Sequence, residues 1–112
     1  MLNQYTFACI CNPRTFEKEL SLSKFIFSGK VIDKVNNTFT FRIDYSWKGK
    51  QNDTIVLKQN TTSCHKFKLE LKHEYLVYVS DYRPNSVSHC SRSVELKFSQ
   101  DLNSLHEYFK TT

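Results

Sequence analysis

From Thr38 the chain alternates: Phe39, Phe41, Ile43, Tyr45 and Trp47 are separated by Thr40, Arg42, Asp44 and Ser46. A period of two sends successive side chains to opposite faces of a strand, so Thr38 to Trp47 is expected to be a strand with these five apolar residues on one face. Just before it, Lys24 to Lys34 carries Phe25, Phe27 and Val31 in one parity and Ile26 and Ile32 in the other, which predicts a strand buried on much of both sides. Asn36-Asn37 between the two is a turn signal. Lys48-Gly49-Lys50 turns the chain again, and Thr54 to Leu57 is a third, short strand. Gln59 to Lys68 is a polar loop. Glu74 to Val79 reads as a fourth strand, Asp81 to Asn85 as a turn, and Val87 to Arg92 as a fifth strand carrying Cys90. At both ends the period changes. Within Thr15 to Ser23, Phe16, Leu20 and Leu22 give a short helix one apolar face, although Thr15 and Lys18 form no capping box. Within Ser99 to Phe109, Leu102, Leu105, Tyr108 and Phe109 fall at helical spacing.

Five strands with a helix at each end and none between them do not make a parallel α/β pattern. The expected class is all-β with flanking short helices, a five-stranded OB-like Greek-key barrel. A chain of 112 residues is sized for one domain and one core, and no repeat or linker divides it. Its 14% aromatic content excludes collagen-like, low-complexity and wholly disordered classes. No apolar run reaches the roughly 18 residues of a membrane-spanning helix, so no transmembrane segment is expected. A monomer is the expected state.

Charge adds little. Lys and Arg number 16 against 11 Asp and Glu, a net +5, but the positive residues are scattered and the densest stretch is the alternation Lys66, Lys68, Lys72. A solvated basic surface accounts for this better than a nucleic-acid groove. Phe39, Phe41, Tyr45 and Trp47 would stack bases only if they faced outward, whereas an alternating strand of a small barrel buries them. No nucleic acid is expected as partner, and Trp47 is expected to pack at the barrel's end.

Cysteine usage says more. Cys9, Cys11, Cys64 and Cys90 are an even set in a small chain, the pattern of an exported domain with two disulfides, for which three pairings are formally possible. Cys9 and Cys11 sit too close in sequence to pair comfortably, so each is expected to reach one of the distant two. A metal site is the rival, because Cys64-His65 and His89-Cys90 adjoin cysteines, but the Cys-x2–4-Cys knuckles of zinc sites are missing. Met1 to Ala8 lack the charged start and long apolar stretch of a full export signal and end on a small residue before Cys9. They are assigned as the remnant of an export signal or a disordered N-terminal extension, with residues 9–112 as the domain. The expected location is secreted, extracellular or at the cell envelope.

Several landmarks together resemble one family. Cys9-Ile10-Cys11-Asn12-Pro13 is similar to the Cys-x-Cys-x-Pro start of tissue inhibitors of metalloproteinases and netrin-like domains. The resemblance continues at Ser28-Gly29-Lys30-Val31, Trp47-Lys48-Gly49, Ser63-Cys64, Lys72-His73-Glu74-Tyr75-Leu76-Val77 and Val87-Ser88-His89-Cys90-Ser91-Arg92. It closes on the helix from Asp101-Leu102 to Leu105, so the landmarks keep the family's order over positions 9 to 109.

The resemblance implies an OB-like barrel with its N-terminal segment strapped on by the disulfides Cys9–Cys64 and Cys11–Cys90. It also implies inhibition of a zinc metalloendopeptidase. The free amine and carbonyl oxygen of Cys9 would chelate the target's zinc and displace its activated water. Ile10 would enter the adjoining specificity pocket, with Cys11, Asn12 and Pro13 extending the ridge and Thr62, Ser63, Cys64 and His65 lying alongside. An amide nitrogen is a poor ligand, so the mechanism requires that Met1 to Ala8 be removed. The alternative is a non-inhibitory netrin-like protein-binding or structural module, in which Cys9-Ile10-Cys11 is only a staple.

No enzymatic activity, cofactor or resident metal is expected. His65, His73, His89 and His106 are dispersed, no nucleophile motif is present, and Gly29 and Gly49 are too isolated for a phosphate loop. Asn36-Asn37-Thr38, Asn52-Asp53-Thr54 and Asn60-Thr61-Thr62 match glycan acceptor patterns, which matter only in a eukaryotic secretory path.

Overall fold

Apolar alternation and turn residues build the sheet much as the sequence predicts. The structure is a computed structural model, and it describes residues 14–49, 52–59, 68–82, 84–88 and 91–110. Strands β1 (Ser23–Val35) and β2 (Thr38–Lys48) form a long hairpin. Its turn places Asn36 at φ 55°, a left-handed conformation that asparagine tolerates better than most residues. Strands β3 (Thr54–Lys58), β4 (Glu74–Ser80) and β5 (Val94–Glu95) complete an open, five-stranded antiparallel sheet in the order β3-β2-β1-β4-β5. Helix α1 (Phe16–Leu22) leads into β1, a 3-10 turn (Leu96–Phe98) follows β5, and helix α2 (Leu102–Phe109) comes last. Thr15 caps α1, its hydroxyl oxygen accepting the Lys18 N–H at 3.1 Å, so the cap forms without a capping box. Among the described residues, no helix is long and apolar enough to cross a membrane.

Both faces of the sheet are covered. On one, Phe27, Val31, Phe39, Phe41, Leu57, Leu69, Tyr75, Val77, Val79 and Val87 form a buried cluster. There Phe41 meets Phe27 and Tyr75 edge-on, at centroid distances of 5.6 and 6.3 Å. On the other, Ile26, Leu76 and Tyr78 pack with Leu20 of α1 and Leu105 of α2. The alternation within β4 sends Tyr75, Val77 and Val79 to the first face and Leu76 and Tyr78 to the second. In β1 only the stretch through Val31 is buried this way, and Ile32 is 47% exposed.

The expected single stripe on β2 is broken in two. Phe27 pairs with Ser46 and Ile26 with Lys48, which leaves Trp47 as an extra residue; Ser28 pairs with Tyr45 and Gly29 with Ile43, which leaves Asp44 as another. Each bulge adds one residue and shifts the side-chain alternation by one. Phe39, Phe41 and Ile43 therefore pack in the first cluster, whereas Trp47 packs against the second and Tyr45 is 52% exposed. Gly29, beside the Asp44 bulge, is required by close approach: a Cβ there would sit 2.6 Å from the Arg42 carbonyl oxygen. On α2, Tyr108 likewise leaves the expected apolar face and is 59% exposed.

The fifth strand is also displaced. Val87, Ser88, Ser91 and Arg92, the described residues of the expected strand, lie outside any strand, Cys90 falls outside the described residues, and the fifth strand is Val94–Glu95, pairing with Leu76 and Tyr75. The reason lies in the side chains of the expected strand and its neighbours. The Ser93 hydroxyl accepts the Tyr78 N–H at 2.8 Å, the Ser91 hydroxyl accepts the Ser93 N–H at 3.1 Å, and the Glu19 carboxylate accepts the Arg92 N–H. Side-chain oxygens thus take backbone groups that a ladder would have used. Earlier in this stretch the chain touches the far edge of the sheet instead. Lys58 and Ser86 form a parallel bridge, with Lys58 donating to the Asn85 carbonyl at 2.7 Å and Val87 donating to the Lys58 carbonyl at 2.8 Å.

Candidate functional site

The sequence-predicted ridge Cys9, Ile10, Cys11, Asn12 and Pro13, the flanking Thr62, Ser63, Cys64 and His65, and both disulfide pairs, Cys9–Cys64 and Cys11–Cys90, lie outside the described residues. The structure brings together the residues where these segments join the fold. On either side of residues 60–67, Gln59 and Leu69 are tied together, the Gln59 side-chain oxygen accepting the Leu69 N–H at 3.1 Å. The first described residue, Arg14, is held far more firmly.

Arg92 is the centre of that hold. Its Nε and Nη2 donate to the two oxygens of Asp101 at 2.8 and 2.6 Å, a bidentate fork, and its Nη1 donates to the Arg14 carbonyl at 2.8 Å. Its backbone N–H donates to one oxygen of Glu19, and the other Glu19 oxygen accepts from Arg14 Nη1 at 2.8 Å. Tyr78 of β4 adds a hydroxyl donated to Asp101 at 2.8 Å. Arg14 is therefore gripped at both its carbonyl and its side chain, in a network of two cations and two anions. Asp101 occupies the N-cap of α2 yet makes no capping bond, because its carboxylate is turned to Arg92. Glu19 and Asp101 are only 1% and 6% exposed.

The electrostatics follow from this geometry. Burial pushes the Tyr78 hydroxyl well above its ordinary range, and the bond to Asp101 adds to the shift. Burial acts to raise the Asp101 carboxyl too, but the bonds from Arg92 and Tyr78, with the charge of Arg92, outweigh it and hold Asp101 below the usual carboxylate range. The Arg92 guanidinium is raised, first by its bond to Asp101.

Sequence reasoning did not find this network, although it left one mark. Phe16, Glu19 and Leu20 stand at i, i+3 and i+4, so a carboxylate sits inside the apolar stripe of α1, the signature of a buried, partnered charge. Nothing local identifies Arg92 as the partner.

Two lesser clusters remain. His73 Nδ1 lies 2.5 Å from Glu95, with Glu70 3.5 Å from its other nitrogen, beside a surface recess of about 360 Å³ lined by Lys72, His73, Glu74, Glu95, Leu96 and Lys97. The bond from His73, followed by the charge of Lys97, lowers the Glu95 carboxyl. On the helical face, Trp47 lies against Tyr45 and His106 at centroid distances of 4.7 and 5.5 Å, its indole N–H donating to His106 at 3.4 Å. Phe39 and Phe41 are in the core, 4% and 0% exposed, and present no stacking platform. Among the described residues no group of three or more His, Cys, Asp or Glu is placed to hold a metal ion.

What fold and site define is thus a small antiparallel β-sheet domain whose N-terminal entry is clamped by buried charge. No protein-family model matches the chain, and no curated protein sequence matches it.

Proposed function

We propose that the chain is a secreted, disulfide-stapled OB-like barrel of the kind found in tissue inhibitors of metalloproteinases and netrin-like domains. In this reading it inhibits a zinc endopeptidase once Met1 to Ala8 have been removed. The barrel is supported by strand polarity. In the order β3-β2-β1-β4-β5 the directions alternate, so the two outer strands point the same way and any contact that closes the sheet is parallel. The Lys58–Ser86 bridge, between β3 and the stretch leading to β5, has that polarity.

The observation that carries the functional reading is the bond from Arg92 to the Arg14 carbonyl. It sets the residue just after Cys9-Ile10-Cys11-Asn12-Pro13 beside the residue two places after Cys90. Extended chain reaches about 10 Å over the three residues from Arg14 back to Cys11 and about 7 Å over the two from Arg92 to Cys90. Both tethers are long enough for a Cys11–Cys90 bond, the pairing that the resemblance implies. Cys9 and Cys64 then make the second pair, which holds the Thr62 to His65 loop against the N-terminal ridge. In this arrangement the Cys9 amine and carbonyl are the zinc chelate, and Ile10, apolar and β-branched, fills the neighbouring pocket at small entropic cost.

The test compares three forms of the protein: one beginning at Cys9, one retaining Met1 to Ala8, and one beginning at Cys9 with its amine acetylated. Each is titrated against catalytic domains of extracellular zinc endopeptidases hydrolysing a fluorogenic peptide. Inhibition by the first form alone is the expected result. If non-reducing peptide mass spectrometry finds Cys9–Cys64 and Cys11–Cys90 but the three forms are equally inert, the netrin-like binding or structural module replaces the inhibitor.

A further inference from the structure

We propose that the Arg14–Thr15 bond is a cleavage site for an arginine-specific endopeptidase, and that the clamp on Arg14 keeps it closed. The inference stands apart from the inhibitor reading, since the site is residues 14 and 15 alone. The chain has four arginines. Arg83 is followed by Pro84, whose ring nitrogen makes a poor scissile bond. Arg42 lies within β2, between β1 and β3, and Arg92 adjoins Ser93, which is 7% exposed. Arg14 differs from all three. Neither it nor Thr15 belongs to a helix or strand, and Thr15 is exposed in an extended conformation, φ −70° and ψ 161°. Exposed backbone outside regular structure is where proteolytic nicking concentrates.

An endopeptidase of this class needs two handles on the residue before the bond. Its specificity pocket takes the side chain, and its oxyanion hole takes the carbonyl oxygen. Here both are occupied. Glu19 accepts from Arg14 Nη1 at 2.8 Å, leaving the side chain 28% exposed, and the Arg14 carbonyl accepts from Arg92 Nη1 at 2.8 Å. Neither partner is free to swing away. Glu19 also holds the Arg92 N–H, and Arg92 is forked to Asp101, which in turn accepts from Tyr78 of β4. Opening the site therefore means breaking the clamp and leaves the sheet closed, and cleavage follows the population of that locally opened form. Water then supplies a hydroxyl to the Arg14 carbonyl carbon and a proton to the Thr15 nitrogen as the bond between them breaks, leaving an Arg14 carboxyl group and a Thr15 amine. The cut parts the backbone of residues 1–14 from α1 and the sheet, so the clamp sets the lifetime of the N-terminal segment.

The test digests the folded full chain with an arginine-specific endopeptidase and follows the Arg14 and Arg42 products separately, by mass spectrometry after reduction. Wild type should be cut at Arg14 roughly a hundredfold more slowly than a peptide of residues 12–20, because a buried ionic hold must break first. Arg92→Gln should raise the Arg14 rate, relative to the Arg42 rate, by roughly tenfold, the worth of one charge-assisted bond. Val77→Ala, a cavity in the opposite face, is the control: it destabilises the sheet without touching the clamp and should not raise that ratio. If Arg92→Gln unfolds, seen as Arg42 cleavage as fast as in the denatured chain, the milder Asp101→Asn takes its place; it removes the charge that forks Arg92 and should raise the ratio in the same direction. Wild-type cleavage at Arg14 as fast as in the peptide, a ratio unmoved in the folded variant, or an equal rise in Val77→Ala overturns the proposal.

Discussion

The two faces of the sheet are held by different physics. One is dry: Phe27, Phe41 and Tyr75 meet edge to face amid valines and leucines, and nothing charged belongs to the cluster. The other takes α1 and α2, and where the helices meet it admits Arg14, Glu19, Arg92 and Asp101. Apolar packing is non-directional and tolerates rearrangement if volume is kept, whereas a bidentate guanidinium accepts one geometry. The dry face therefore supplies stability, and the charged one fixes where the chain enters.

Breaking the dry face should cost most. Phe41→Ala removes a fully buried ring and should lower unfolding free energy by about 3–5 kcal/mol in urea or guanidinium titration; a loss near 1 kcal/mol would mean that the face repacks. Glu19→Ala comes next. It leaves Arg14 and the Arg92 N–H without their shared acceptor, and removing one member of such a network should cost about 3 kcal/mol, less if water reaches the partly exposed arginines. Tyr78→Phe deletes only the hydroxyl donated to Asp101 and should cost about 1 kcal/mol. The smallest effect is expected at the rim, where Tyr45→Ala trims a half-exposed ring from Trp47 and should cost under about 1 kcal/mol.

Acid should separate the faces without mutation. Asp101 is held below its unfolded pKa, so its contribution is present above the unfolded value, near 3.9, and is lost as pH falls through the folded one. Denaturation midpoints measured from pH 5 downward should drop more steeply for wild type than for Asp101→Asn. Parallel profiles would remove Asp101 from the acid response.

Much of the sheet was legible because alternation is a local property. Phe39 and Phe41 announce a buried face, Asn36-Asn37 announces the turn, and β3 and β4 fall where their apolar runs lie. The bulges at Asp44 and Trp47 were not legible. Any residue type can occupy a bulge, so the break in the stripe follows from pairing with β1 rather than from β2 itself. The fifth strand was misplaced for a related reason: Ser91 and Ser93 have ordinary strand neighbours, but their hydroxyls find backbone partners nearby. At the site, motif and spacing direct attention to Cys9 through Pro13, whereas the clamp beside it depends on Arg92 meeting Arg14 across 78 positions of sequence. Only Glu19, a carboxylate within an apolar stripe, advertised it.

That separation also sets a timetable. The β1–β2 hairpin and β3 are complete once Lys58 has been synthesised, but the sheet gains its central neighbour only with β4, and Arg14 finds its anchor only when Arg92 and Asp101 follow. Any state in which the β1–β2 hairpin and β3 have formed but β4 has not yet docked therefore carries β1 with one edge unpaired, and it is in that state that a holding chaperone would find an open strand to bind.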